Sequence, residues 1–552
     1  VLSLVGSEMC IRDRYSGALV ISTLAGKAGV SVSLATGSLI IGVIAMVYVT
    51  AGGLTAAVWA DLIQGSALIL GGTVIIWFAF QKLGMATEAA SVLSVETGAV
   101  SIQALSPDAG AVERFWDLNR PRMNMFLPAT DTVLPWTALM LGLWIPNFYY
   151  WGLNQYITQR TLGSASLAEG QKGIVFAAFM KLLIPFLIVV PGIIAFNLYS
   201  NDMRLEARGD TSGSMALYLD ANPETQFVEI AEAPSDAQTA AWPAGRYLLA
   251  IYPDAAAIEA LESASPYVLP MTRAEFDGTR AGEFTVFVTE DQSWAAVNPG
   301  LAEEIEVFNG QVREAAVTAG RTTTSEKMIA FKYDTALAQL LGNVLPQGVG
   351  VVGFVLAALL GAVVSSLAAM LNAASTIFSM DVFKKFIRPQ ASQELTVRVG
   401  RFAVIAFGLV AIFLAPQLGN PAISNSIFTI IQEGQGFVSP GILAVFAFGL
   451  LVRKGPAVCG TAGLLTNIVA YGLRKVAVPD LQFLNRLAVC FGLCLLVMAA
   501  ITLIKPLDEP VVFEKNTEIA LETSGVAKVG GILVVGTALV FYFLFSSMGF
   551  AG

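Results

Sequence analysis

Histidine is absent from this chain, and only four cysteines occur in its 552 residues. Without histidine there can be no His-based metal centre and no triad built on an imidazole base. Four cysteines are too few for a disulfide framework in a chain of this length. Cys490 and Cys494 lie one helical turn apart in an apolar run, and they read as small buried residues. Charge is scarce as well. Asp, Glu, Lys and Arg make up 13% of the chain, against roughly 25% in soluble domains, which excludes an ordinary soluble protein. No nucleotide-binding loop, metal cluster or nucleophile paired with a base is visible, so the chain is not expected to be an enzyme, nor to bind nucleic acid.

Hydrophobic sequence stands where charge is missing, at 55% of the chain with a mean hydropathy of +0.68. Apolar segments near or above the ~20 residues needed to cross a bilayer fall near 33–51, 57–80, 134–158, 173–197, 347–375, 399–416, 424–452, 456–473, 486–504 and 529–548. Residues 15–29 look like the tail of another span. The expectation is an all-α polytopic protein of the cell (inner) membrane, with the lipid bilayer as its surroundings. Residues 1–14 (VLSLVGSEMCIRDR) carry four charges directly before a membrane-type segment. They do not resemble a signal peptide and are expected to be non-native.

The net charge of −9 misleads, because residues 198–330 hold 21 Asp and Glu against 8 Lys and Arg and the remainder sums to +4. Lys and Arg in short loops mark the cytoplasmic side. They gather in 159–172, 380–401, 453–455 and 505–528, which puts 81–133, 198–346, 417–423 and 474–485 outside. Loop 81–133 keeps positive charges near Arg114–Arg122 but is long enough to weaken the rule. The division expected is membrane core over 15–197, acidic extracytoplasmic insert over 198–330, and membrane core with C-terminal helices over 331–552. The insert is too long for a plain connection. GRYLLAIYPD and GEFTVFVTED alternate as strands would, and PDAAAIEALESA reads as a short helix with Asp254 near its start. A small α/β or β-rich module is expected there, serving either as a cap that captures a ligand or partner or as solvated decoration.

Polar groups inside the spans carry the chemistry, since an amide or ion at membrane depth is costly and normally faces a protein interior or a wet cavity. Trp144, Asn147, Tyr150, Trp151 and Asn154 recur at helical spacing and would share one face, with Pro146 and Gly152 interrupting the helix. An aromatic and amide face suits a sugar, with rings against C–H surfaces and amides to hydroxyls; the alternative is an interfacial aromatic belt. Lys181 lies a third of the way into its span, where it either donates to hydroxyls or an acid or reaches back to the surface. Ala362, Ser365 and Ser366 offer a carbonyl and two hydroxyls on one face, a hard-oxygen set that suits Na⁺, while the small residues around them also suit close helix packing. Gln432 and Glu433, within IIQEGQGFVSPG, signal an interrupted helix of the kind that holds transporter substrate sites. Asp61, in AVWADLIQG, is either a helix-start acid or a stop on an ion pathway.

Taken together, YVTAGGLTAAVWADLIQG (48–65), WIPNFYYWGLNQYITQRTLGSASLAEGQKG (144–173), FMKLLIPFLIVVPGIIA (179–195), AVVSSLAAMLNAASTIFSMDVFKK (362–385) and IIQEGQGFVSPGILAVF (430–446) resemble the sodium/solute symporter family, in its sodium–glucose/galactose branch. The resemblance implies a leucine-transporter-type core of two inverted five-helix repeats and Na⁺-driven import of a sugar by alternating access. It implies that Asn147, Lys181 and Gln432 bind the sugar, with Tyr150 stacking as an inner gate alongside Trp151. Ala362, Ser365 and Ser366 would supply part of the Na⁺ site, and Asp61 matches an acid on the cation route. The first two core helices of the family would lie before residue 1, leaving the core incomplete at its N-terminus, and the acidic insert exceeds the family's usual short loop. The expected partners are Na⁺ as coupling ion and a small hexose-like sugar. A symporter for inositol, sialic acid or another polyol-like solute, and a membrane solute sensor that does not transport, are the alternatives.

Overall fold

The structure, a computed structural model, describes residues 15, 17–22, 25, 32–93, 98–129, 131, 134–225, 228–230, 234–242, 246–260, 265–289, 293–416, 433–478, 481–513 and 522–550. Helix α1 (Leu34–Met85) begins at Ser33, whose hydroxyl accepts from the Thr36 amide at 3.1 Å. It contains both of the first two expected spans, divided at Gly53, where φ is +57° and ψ −148°. That backbone conformation is open to glycine and strained for other residues. Across the division the Tyr48 hydroxyl donates to the Ala56 carbonyl. Eight residues of straight helix would hold the two about 12 Å apart, so the chain bends sharply here.

After α1 come an antiparallel hairpin, β1 (Glu88–Val92) with β2 (Val100–Ala104), and helix α2 (Ala111–Asn119). Arg114 of α2 is buried. Its Nη1 donates to the carbonyls of Leu83, Gly84 and Ala86 at 2.9, 2.8 and 3.0 Å, and its Nη2 to Ser106 at 2.7 Å. The last carbonyls of a helix lack internal partners and form the negative end of its dipole, so this cation caps the end of α1. Arg122 likewise lies 4.4 Å from the Phe196 ring centre. Both positive charges are thus taken up in contacts within the fold.

The stretch expected as a single span over 134–158 is three short helices: α3 (Trp136–Leu141), α4 (Trp144–Gly152) and α5 (Gln155–Leu162). Pro146 does not interrupt it; it lies in the first turn of α4, where a missing N–H is tolerated. One break falls at Gly142, where a Cβ would come within 2.0 Å of the Leu484 carbonyl oxygen, so only glycine permits that approach. The other falls at Leu153–Asn154. Asn154 caps α5, its Oδ1 accepting from the Tyr156 amide at 3.3 Å, and so it does not continue the face of Trp144 and Asn147.

Helix α6 (Leu167–Ala221) runs 55 residues, with non-helical angles at Tyr199 alone. Its second half supports the insert. There β3 (Val228–Ile230), α7 (Asp236–Ala241), β4 (Leu248–Tyr252), α8 (Ala255–Ala260), β5 (Val268–Thr272) and α9 (Arg273–Gly278) follow in order, with β3, β4 and β5 parallel and in that spatial order. Next come β6 (Thr285–Thr289), α10 (Ser293–Val297), α11 (Pro299–Thr318) and β7 (Thr324–Met328), with β6 and β7 parallel. Asp254 accepts from the Ala257 amide at 2.9 Å at the start of α8, as its position in the sequence suggests. The insert is therefore α/β. All five residues of β4 are buried, unlike the alternation expected of it, because a parallel strand is covered on both faces.

The chain returns through α12 (Ala336–Gln339), α13 (Val351–Ile377), α14 (Gln393–Leu414), α15 (Ser439–Leu451), α16 (Val458–Ala477), α17 (Phe483–Ile504) and α18 (Gly525–Leu544). Seven helices among the described residues are long and apolar enough to cross a membrane. One core joins the spans to the insert, packing Ile75, Leu83 and Ile194 in one cluster with Leu249, Phe287 and Trp294. A second packs the first arm of α1 (Ile41, Ala45, Val49) against Leu367 and Leu371 of α13. Cys490 and Cys494 are fully buried, in line with the reading of them as packing residues.

Candidate functional site

On α4, Trp144, Asn147 and Trp151 stand on the exposed side, while Ile145, Pro146 and Tyr149 are buried. The Asn147 amide nitrogen donates to the Leu143 carbonyl at 2.8 Å, which leaves its oxygen and a second N–H to face outward. Lys181 of α6 holds its Nζ 4.2 Å from the centre of the Trp151 ring. An ammonium over an indole face gains about 0.5–2 kcal/mol, enough to position it. No carboxylate pairs with this ammonium among the described residues, so its N–H groups stay available to a ligand.

Contacts continue inward from Trp151. The Tyr150 ring packs edge-on against Trp151 at 5.3 Å and against Tyr156 at 5.7 Å, and the two tyrosine hydroxyls hydrogen-bond to each other. Arg160 lies 5.9 Å over the Tyr156 ring and donates to the Tyr156 carbonyl at 2.8 Å. Its other terminal nitrogen pairs with the Asp61 carboxylate. Asp61 is thus part of an ion pair that fastens α1 to α5. Lys181, Trp151 and Tyr150 connect to it through an unbroken series of ring and hydrogen-bond contacts, which Asn147 does not join.

Ala362, Ser365 and Ser366 lie on α13. Ser365 is buried, and its hydroxyl donates to the Ala362 carbonyl at 3.1 Å. This brings two of the expected oxygens side by side, with the hydroxyl lone pairs still unspent. Close by is a residue that sequence reasoning passed over. The Gln64 side chain lies 3.0–3.2 Å from where a Cβ on Gly361 would be, and its Oε1 is buried without a hydrogen-bond partner. Gln64 follows Asp61 by three residues in the same span, so the signal that singled out Asp61, a polar group at membrane depth, applied to it equally.

Gln432 lies outside the described residues. Its neighbour Glu433 pairs with Lys475 of α16 and lies 3.8 Å from Arg486 of α17. Just beyond, the Asn467 amide donates to the Gly436 carbonyl at 3.2 Å, taking up a backbone group ahead of α15. A cleft of about 580 Å³ lined by Asp202, Leu205, Glu206, Gln339, Gly342 and Asn343 contains none of the sequence-derived site residues.

The model of the sodium:solute symporter family matches residues 2–230 and 314–468. The sodium/glucose cotransporter of Vibrio parahaemolyticus is 30% identical over 456 residues, covering 82% of this chain and 58% of that protein. The uncharacterized symporter YidK of Escherichia coli (strain K12) is 24% identical, over 96% of this chain and 70% of its own length. A solved structure of a Na⁺-coupled sialic acid symporter, substrate-bound and outward-open, superposes with a TM-score of 0.52 at 15% identity, covering 91% of this chain and 75% of that one. This last likeness is one of fold, and it bears out the leucine-transporter-type architecture. Since the family match covers most of the chain and takes in Asp61, Asn147, Lys181 and Ser365, the chain belongs to the sodium:solute symporter family.

Proposed function

We propose that the protein is a sodium-coupled secondary transporter of the cell membrane that imports a hexose-like sugar by alternating access. The membrane core is formed by 15–197 and 331–552, and the acidic insert of 198–330 lies outside the cytoplasm. Asn147, Tyr150, Trp151, Lys181 and Gln432 serve the solute, and Ala362, Ser365 and Ser366 serve Na⁺. The observation that carries this reading is the Lys181 ammonium held 4.2 Å over the Trp151 ring, with no acid beside it among the described residues. A cation at membrane depth is costly unless something occupies it, and sugar hydroxyls offer acceptors where the indole offers a stacking face.

On the cation side, Ser365 donates its proton to the Ala362 carbonyl and keeps its lone pairs for the ion. The Gln64 carbonyl oxygen, buried and unpartnered, adds an oxygen at the same helix contact. Asp61 meets a passing cation only when Arg160 releases it, so the pair acts as a toll on that route. Each Na⁺ moving inward brings about 2.3 kcal/mol per 100 mV of membrane potential to the cycle. The unpaired ammonium also favours a second reading within the class, a sugar acid such as sialic acid, whose carboxylate would neutralise it.

The test is uptake of radiolabelled hexose, and separately of sialic acid, into proteoliposomes containing the full-length protein, with an inward gradient of Na⁺ or of K⁺. Hexose uptake that requires Na⁺ and falls at least tenfold in Lys181→Ala is expected. Na⁺-dependent uptake of the sugar acid alone selects the second reading. Binding of solute without accumulation overturns transport in favour of a sensor.

A further inference from the structure

Arg204 stands on the second half of α6, beyond the bend at Tyr199, and is 8% exposed. Its guanidinium lies between two rings, 4.7 Å from the centre of Tyr267 and 4.5 Å from that of Phe331. Among the described residues no carboxylate pairs with it, and its Nη1 is buried without a hydrogen-bond partner. Ring contacts stabilise a desolvated cation, but by less than removing the ion from water costs. A lysine in this position could lose its proton, but arginine cannot. Among the described residues a compensating negative charge is therefore missing.

A relay of ring contacts leads from Tyr267 to two further donors. The Tyr247 ring is 6.1 Å from Tyr267 and stacks on Trp294 at 6.2 Å. Tyr247 is 4% exposed and Trp294 1%, and the Tyr247 hydroxyl and Trp294 Nε1 are both buried without partners. Burial pushes the Tyr247 hydroxyl up to about 12, with the Arg204 charge pulling the other way; the two groups feel each other, and the phenol keeps its proton to donate. One turn further along α6, Arg208 adds positive charge and approaches the Ser265 carbonyl at 3.5 Å. Asp202 and Glu206 do not compensate Arg204, since at about 100° per residue they point to the opposite side of the helix, where they line the cleft with Gln339 and Asn343.

We propose that Arg204, Tyr247 and Trp294 form a binding site for a small monovalent anion, a halide or a carboxylate, at the seam between α6 and the insert. A guanidinium N–H, a phenolic O–H and an indole N–H are three donors with no acceptor among them, and only an acceptor that carries charge also neutralises Arg204. The enclosure of all three donor atoms restricts the ligand to a small, dehydrated one. Tyr247 and Trp294 belong to the stretch between residues 230 and 314 that the family model leaves unmatched, whereas Arg204 lies within the matched segment 2–230, so two of the three donors are particular to the insert. Bound there, the anion ties the insert to a helix that also carries Lys181.

The experiment is thermal unfolding of the full-length protein in detergent, in sodium chloride, sodium formate or sodium gluconate at equal ionic strength. Chloride is expected to raise the midpoint over gluconate by about 3 °C or more, saturably. A matching rise in formate admits carboxylates, and its absence restricts the site to halides. Arg204→Met should abolish the rise and should be more stable than the parent in gluconate, because it removes an uncompensated buried charge. Should that variant fail to fold, Tyr247→Phe with Trp294→Phe keeps ring volume and the Arg204 charge, and it should weaken the apparent anion affinity at least tenfold. Bromide soaked into crystals should give an anomalous peak within hydrogen-bond distance of Arg204. No rise in either anion, a rise that survives these substitutions, or a water in place of the peak overturns the site.

Discussion

The two halves of α6 carry one backbone through different surroundings. Before the bend at Tyr199, Ile174, Phe176, Phe179, Leu183, Ile188 and Val189 stand exposed, and none of the most apolar window of this helix is buried within the protein. After the bend, Met203, Ala207, Met215 and Tyr218 are buried, and Glu206 and Gly209 face outward. The first half displays apolar side chains because lipid is its solvent; the second hides them because water is. The insert thus rests on a continuation of a membrane helix and shares its core.

Truncating one large side chain packed against the second half, and one borne by the first, puts that contrast under the greatest strain. Phe287 of β6 is 1% exposed and packs edge-on against Tyr218 of α6 at 5.2 Å. Phe287→Ala should cost about 3–5 kcal/mol, seen as early loss of amide protection across the insert while the spans stay protected. Phe179→Ala, at a position 51% exposed, should stay within about 0.5 kcal/mol. Equal costs would mean that the first half is packed in protein and not bathed in lipid.

Charge discriminates in the opposite direction. Phe179→Asp should oppose membrane insertion by about 2.5–3.5 kcal/mol, measured by the fraction of chains integrated in a translocation assay. Gly209→Asp, on the exposed side of the second half, should be nearly silent. If both were silent, the first half would not lie in the hydrocarbon.

Just before the bend, α6 is fastened to β1 and α2 by a buried amide pair. Asn197 Nδ2 donates to the Ala90 carbonyl at 2.7 Å and to Asn119 Oδ1 at 3.0 Å, and Asn119 returns a bond to Asn197 Oδ1 at 2.8 Å. Asn197→Ala leaves buried groups unpaired and should lower stability by about 1–3 kcal/mol. Asn197→Ala combined with Asn119→Ala should cost less than the two single changes added together, since each single change already breaks the mutual bonds.

Hydropathy made the first half of α6 legible, and the motifs around Asn147, Lys181 and Ser365 made the family legible. Neither signal could show that the helix continues past residue 197. There the apolar run ends and an amphipathic pattern begins, so a change of solvent resembles a change of structure. The three-part division of 134–158 was hidden for a different reason. The break at Gly142 is set by the Leu484 backbone, a contact more than three hundred residues away in the chain, and Asn154 looked like a site residue until its role as a helix cap was visible. Gln64 shows the converse, a signal present in the sequence but overshadowed by the neighbouring Asp61. Partners such as Arg160 for Asp61 and Trp151 for Lys181 follow from packing between helices, which periodicity along one helix does not encode.

The smallest effect concerns two carboxylates of the insert that titrate with opposite sign. Glu275 accepts from the Thr272 amide at 2.9 Å and from its hydroxyl at 2.7 Å, and these bonds hold its carboxyl below the ordinary range. Its contribution is present above the unfolded value and is lost as pH falls through the lower folded one. Glu326 of β7 is pushed up chiefly by burial, with a hydrogen bond from Ser214 of α6 working against it. Stability from Glu326 is full below the unfolded value and declines as pH rises through the raised one. Glu275→Gln should therefore flatten the acid limb of insert unfolding, and Glu326→Gln should flatten a loss that begins as the pH climbs past the ordinary carboxylate range. Amide exchange of the insert, followed against pH in each variant, separates the two. Since Glu326 receives its bond from α6 and Glu275 receives both of its bonds within the insert, a change in span protection in the Glu326 variant alone would show that the two halves of α6 communicate across the bend.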